Sequence, residues 1–203
     1  MPSAAGPSRA AVAGDYRWFA ANTDLSKGFS FVWVKGLETK EVLQRLGGEE
    51  LERVYWNQLV SSGDGQRGDA SRMFFGIARM SETWVLVVED NGTLGTTESL
   101  LRPLSRGTTV ISHYRAANGR SRLLLLTDQA VDLDADPVTG KSRAGGRATE
   151  LAPTLAAVGF GASNDPAQGT AAALALTERL TGVAMTQELL NSRTYVLGWA
   201  PRP

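Results

Sequence analysis

His113, Asp128, Asp132 and Asp134 are the residues whose types and spacing could do acid–base chemistry in this chain. His113 is the single histidine of 203 residues, and imidazole is the side chain that titrates near physiological pH without help. Paired with Asp128 or Asp132 on a neighbouring strand, it would form a general base. Asp134 completes the candidate set. The chain has no cysteine, which removes thiolate nucleophiles, disulfides and Cys-rich zinc sites. Serine–histidine or metal-dependent catalysis would therefore run through His113 or rest on carboxylates alone. The bland alternative is a structural histidine. Alternation along Val110-Ile111-Ser112-His113-Tyr114-Arg115 puts Ile111 and His113 on one strand face, leaving His113 half-buried if Ile111 faces the core.

Other motifs weaken on inspection. Asp132, Asp134 and Asp136 recur at period two and would meet around Ca²⁺ or Mg²⁺ only if the strand bends at its turn. An EF-hand loop needs glycine where Pro137 stands and glutamate where Arg143 stands, so no metal site is assigned. Solvated edge charges that discourage strand-to-strand aggregation account for the same residues. Gly63-Asp64-Gly65-Gln66-Arg67-Gly68 spells GxGxxG, but it follows a helix-like segment and leads into a strand. A dinucleotide fingerprint needs the reverse order, so the motif reads as a Gly-rich loop and no cofactor is implied. Glu89 and Asp90 point to opposite sides of a strand and read as a charged strand terminus. Of five tryptophans, Trp33 and Trp84 lie in apolar strands and read as core, whereas Trp18, Trp56 and Trp199 lie near segment ends or polar neighbours. These three are the candidate interface residues.

The elements that position these groups segregate along the chain. Residues 1–14 read as a flexible tail, followed by one domain over 15–200. Asp15–Phe19 suits a helical turn, and Phe29–Val34 is a β-prone run. A helix capped by Thr39 ends at Gly47-Gly48, and a second, Glu49 to Val60, carries Leu51, Val54, Tyr55 and Leu59 at helical spacing. Residues 61–70 and 141–148 read as loops. Strands are expected at 73–78, 84–89, 108–114, 122–127 and 130–133, with Asn118-Gly119 as a hairpin turn. Thr97 caps a short helix between them, and helices return at 149–158, 171–180 and 186–190 before a last strand near 194–199. Strands in the middle and helices toward the ends predict an α+β fold with a mostly antiparallel sheet.

Lys plus Arg equals Asp plus Glu at 21 each, so the basic excess of a general nucleic-acid binder is missing. No window approaches the roughly 18 consecutive apolar residues of a membrane span. The N-terminal stretch lacks the apolar core of a signal peptide, which points to the cytoplasm.

Phe31-Val32-Trp33-Val34-Lys35-Gly36-Leu37 followed by Glu41–Gly47, Trp84–Gly92, and Ala173–Val183 together resemble the WVRGLDPEEVLRRLG, WTVVVEPNGW and ALAERLTGV signatures of an uncharacterised actinobacterial domain family. The departures are Asp90, where that family often has proline, and Thr93, where it often has an aromatic residue. The resemblance implies a bacterial, intracellular protein and supplies no catalytic residues. The expected function is a non-enzymatic protein-binding module, immunity-, antitoxin- or regulator-like, with another protein as partner. The alternatives are a small enzyme or ligand-binding domain built on His113 and the aspartates, and a structural subunit of a larger assembly.

Overall fold

Gly28–Lys35 (β1) is apolar on both sides: Phe29, Phe31 and Trp33 face one way, Val32 and Val34 the other, and all are buried. A strand of that kind must lie at the centre of a sheet covered on both faces. The computed structural model, which describes residues 9–61 and 70–203, places it there. Its neighbours are Trp84–Asp90 (β4), buried throughout, and Thr109–Ala116 (β5). On the β4 side follow Arg72–Arg79 (β3), Thr194–Pro201 (β9) and Glu49–Tyr55 (β2). On the β5 side follow Ser121–Thr127 (β6), Ala130–Ala135 (β7) and Ser142–Ala144 (β8). The nine strands run in the order β2-β9-β3-β4-β1-β5-β6-β7-β8, each antiparallel to its neighbours, and helices pack around them in an α+β fold.

Each face carries its own core. Phe29, Phe31, Trp33, Leu86, Ile111, Leu125 and Tyr195 pack under a 3-10 helix over Ala13–Ala21 and under Trp56–Ser61 (α2), Ala148–Val158 (α4), Pro166–Thr181 (α5) and Gln187–Ser192 (α6). Val32, Val34, Ile77, Val87, Val110 and Leu124 pack under Thr39–Arg45 (α1) and Glu98–Leu104 (α3). In α5 the run Ala171–Leu176 is buried residue after residue, and its small side chains let the backbone approach closely. The Thr170 and Thr177 hydroxyls within it donate to the carbonyls of Pro166 and Ala173, both at 2.9 Å, so no polar group is stranded.

Several expectations are corrected. The helix expected over Glu49–Val60 is an edge strand followed by a short helix. Leu51, Val54 and Tyr55 have helical spacing, but pairing along β9 sets the conformation, and Leu51 and Tyr55 remain exposed at 44% and 60%. The loop expected over 141–148 contains β8, paired with β7. The helix expected over 171–180 begins earlier, at Pro166: the Asp165 carboxylate accepts from Ala167 N at 2.9 Å and Pro166 opens the first turn. Of the tail expected over 1–14, residues 1–8 lie outside the described residues, whereas Ala11 and Ala13 are buried. Gly63–Gly68 also lies outside them. Thr39 is the first residue of α1 rather than its cap, which is Glu38. Among the described residues no helix is long and apolar enough to cross a membrane.

Candidate functional site

The four residues singled out for acid–base chemistry are not brought together. His113 lies on β5 between Phe31 of β1 and Leu123 of β6, and it is 1% exposed rather than half-buried. Its ring stands edge-on to Phe29 at 5.2 Å. Ser121 Oγ lies 3.3 Å from Nε2 and gives its own hydrogen to Tyr114 O at 3.1 Å. Nε2 is therefore the protonated nitrogen, and Nδ1 is buried with no hydrogen-bond partner among the described residues. Burial, with the Arg115 charge adding to it, pushes the imidazole pKa down to about 3. At neutral pH His113 is an uncharged core residue.

The aspartates are spent elsewhere. Asp134 lies between Leu133 and Ala135, which belong to the His113-side core, so it points to the opposite face. There Arg122 grips it through two hydrogen bonds of 3.0 and 2.9 Å and also reaches Glu98 at 2.7 Å. Asp132 accepts from Thr127 Oγ1 at 2.7 Å, and Asp128, at φ +44° in the β6–β7 turn, accepts from Gly107 N at 2.8 Å. Asp136 accepts from Val138 N at 2.9 Å in its own turn. No grouping of three or more potential metal ligands occurs among the described residues.

Two carboxylate–hydroxyl pairs that sequence reasoning did not assemble stand out instead. Glu89, read as a strand-end charge, is 3% exposed. Val85, Val87 and Glu89 share the α1/α3 face, where Glu89 sits in register with Ser30 of β1. It accepts from Leu94 N at 2.7 Å. Ser30 Oγ donates to Gly92 O at 3.1 Å and accepts from Gly95 N at 2.9 Å, and Ser112 Oγ donates to Gly95 O at 2.8 Å. The segment after β4 is thus clasped onto three central strands. Gly92 is required: a Cβ there would stand 1.8 Å from Glu89 Cδ. Burial pushes the Glu89 pKa up to about 7, against the opposing pull of Leu94 N–H, the Arg202 charge and Ser30, while Asp90 adds to the rise. The sequence signal was the small polar residues Ser30 and Ser112 at inward positions of otherwise apolar strands.

The second pair lines an open groove of about 590 Å³ between the 3-10 helix and the end of α5. Tyr16 O–H donates to Glu178 Oε2 at 2.7 Å and accepts from Met185 N at 3.2 Å. Burial and the Glu178 contact raise the phenol pKa, so Tyr16 keeps its proton. Ala11, Trp18, Ala184 and Met185 supply the apolar walls, and Arg9, Asp15, Thr186 and Gln187 the polar lining. Trp18 is half-buried and meets Phe19 edge-on at 5.5 Å.

The remaining interface candidates divide. Trp56 is 2% exposed, donates from Nε1 to Asp24 Oδ2 at 2.9 Å and packs on Tyr195, so it serves the core. Trp199 is half-buried beneath the Arg72 guanidinium, 3.9 Å from its ring centre. Trp33 and Trp84 are core residues as expected.

No curated protein and no solved structure matches this chain. Residues 9–203 match a family described only as a family of unknown function, DUF6461. Since the match runs from just before the groove's 3-10 helix to the last residue, the protein belongs to the DUF6461 family.

Proposed function

We propose that this protein is a non-enzymatic binding module whose partner is another protein, docked through the groove beside Trp18. The observation that carries the reading is the composition of that groove: about 590 Å³, walled by Ala11, Tyr16, Trp18, Ala184 and Met185, with a half-buried tryptophan at its edge. Aromatic anchors in a largely apolar concavity are what protein-binding hot spots use. The enzyme reading lacks a comparable observation, because His113 is sealed and neutral and Asp128, Asp132 and Asp134 hold separate structural bonds. The neutral charge and the tryptophan content suit a regulator-, immunity- or antitoxin-like role, and the sequence signatures favour an actinobacterial, intracellular setting. A subunit of a larger assembly would use the same groove and differ in stoichiometry.

The test is parallel purification of tagged wild type, Trp18→Ala and Trp199→Ala from the native host at two salt concentrations. The reading predicts one stoichiometric protein on wild type and on Trp199→Ala, and its loss from a folded Trp18→Ala. A partner that stays on Trp18→Ala contradicts it.

A further inference from the structure

We propose that the groove is a receptor for a lysine side chain of the partner protein, its ammonium seated on Glu178 and its stem along Trp18 and Met185. This rests on the docking reading above and names the chemistry that would be recognised.

Most polar atoms lining the groove already have partners. Asp15 is engaged on both oxygens and already has its counter-charge: Oδ1 holds Arg9 in an ion pair and Oδ2 accepts from Val12 N at 2.9 Å. The Gln187 carbonyl takes the Asn22 amide at 2.6 Å, and its own amide donates to Asn191 at 2.9 Å. Thr186 Oγ1 accepts from Leu189 N at 3.0 Å, capping α6. Neighbouring Arg179 donates from Nε to Ala11 O at 2.7 Å and forms no ion pair with Glu178. Glu178 remains. Its Oε2 accepts from Tyr16, its Oε1 has no hydrogen-bond partner, and it forms no ion pair among the described residues. A carboxylate without a counter-charge beside an apolar wall selects a cation on an apolar stem.

Lysine fits better than arginine for a geometric reason. Arginine's planar fork gains most from two free carboxylate oxygens, whereas an ammonium is a point donor satisfied by one. With Oε2 held by Tyr16, one oxygen is free. The four-methylene stem then lies on Trp18, Ala184 and Met185, which line the same groove.

The experiment is a ¹H–¹⁵N NMR titration of the full chain with Ac-Ala-Lys-Ala-NH₂. Matched peptides carry arginine, norleucine or Nε-acetyl-lysine at the centre. The lysine peptide is expected to shift the Trp18 indole and the Met185 and Gln187 amides, binding about fivefold tighter than norleucine or acetyl-lysine, the size of one exposed ion pair. Glu178→Gln keeps an acceptor for Tyr16 and should erase that preference. Tyr16→Phe frees the second oxygen and should narrow the gap between lysine and arginine. Equal binding of lysine and norleucine peptides would overturn the lysine assignment while leaving an apolar docking groove standing. Shifts absent for every peptide, or a lysine preference that survives Glu178→Gln, would overturn it as well. The docking reading itself is decided separately, by the Trp18→Ala purification. Should Glu178→Gln fail to fold, the acetyl-lysine comparison on wild type still decides the question.

Discussion

Glu89 with Ser30 and Glu178 with Tyr16 are the same chemistry, a carboxylate beside a hydroxyl, placed in opposite surroundings. Glu89 lies against the central strands under the Gly92–Thr96 segment, where the Leu94 N–H and Ser30 engage it and Gly92 leaves no room for a side chain. Glu178 lies at the edge of a groove with one oxygen uncommitted. The difference separates a polar group that holds the fold from one that keeps an oxygen open to the groove. Burial alone does not mark a site, and the sealed His113 on the other sheet face makes the same point. In this protein His113 and Glu89, both displaced from ordinary titration by burial, are structural groups.

The widest separation between the two regions should appear in acid. His113 has its folded pKa lowered to about 3 against an ordinary 6.5, so its contribution is fully present above pH 6.5 and is lost as pH falls toward 3. At about 1.4 kcal/mol per unit, that loss approaches 5 kcal/mol. His113→Leu, which is close in volume, should remove this component, so that urea-unfolding free energies of variant and wild type converge and cross as pH drops. Parallel curves would mean that the histidine is not sealed.

Gly92→Ala should cost about 3 kcal/mol, because the new methyl overlaps a buried carboxylate that cannot swing away without abandoning Leu94 N. Chemical denaturation at pH 7 measures this. A loss well under 1 kcal/mol would show the segment to be loosely held.

Glu89 works with the opposite sign to His113. Its folded pKa is raised to about 7 from 4.5, so the stability it lends is complete below pH 4.5 and is lost as pH rises through 7. Glu89→Gln should therefore gain on wild type by about 2 to 3 kcal/mol between pH 4 and pH 8, read from unfolding curves at each pH. A pH-independent difference would contradict burial as the cause. Between pH 4.5 and 6.5 the two sealed groups oppose each other, so wild type should be flatter there than either variant.

At the groove the effects on stability shrink. Glu178→Ala removes one hydrogen bond at a half-open position and should cost about 1 kcal/mol or less by thermal or urea unfolding. A cost as large as that of Gly92→Ala would make the groove carboxylate a structural group and erase the contrast.

Much of the fold was legible because β1 and β4 are apolar on both faces and Asn118-Gly119 closes a hairpin, with Gly119 at φ +83°. What was missed is non-local. Leu51, Val54 and Tyr55 carry helical spacing, and only β9, supplied by the far end of the chain, makes that segment a strand. The insertion of β9 between β2 and β3 has no local signal for the same reason. Trp18 could be named from its neighbours, but Glu178 is 162 residues from Tyr16, and no spacing rule connects them. Glu89 read as a strand end because the turn that folds back over it is recognisable only once Gly92 and Gly95 are seen to touch Glu89, Ser30 and Ser112. His113 was placed on the correct strand and face, but its full enclosure depends on Phe29, which comes from a strand distant in sequence.

On the proposed reading the groove, and not the surface over the sealed carboxylate, meets the partner. The direct measurement is site-specific photo-cross-linking in the native host, with a benzophenone amino acid at exposed Ala184 on the groove or at exposed Thr93 over the clasped segment. A discrete protein adduct is expected from position 184 and none from position 93. An adduct from position 93 alone would contradict that reading.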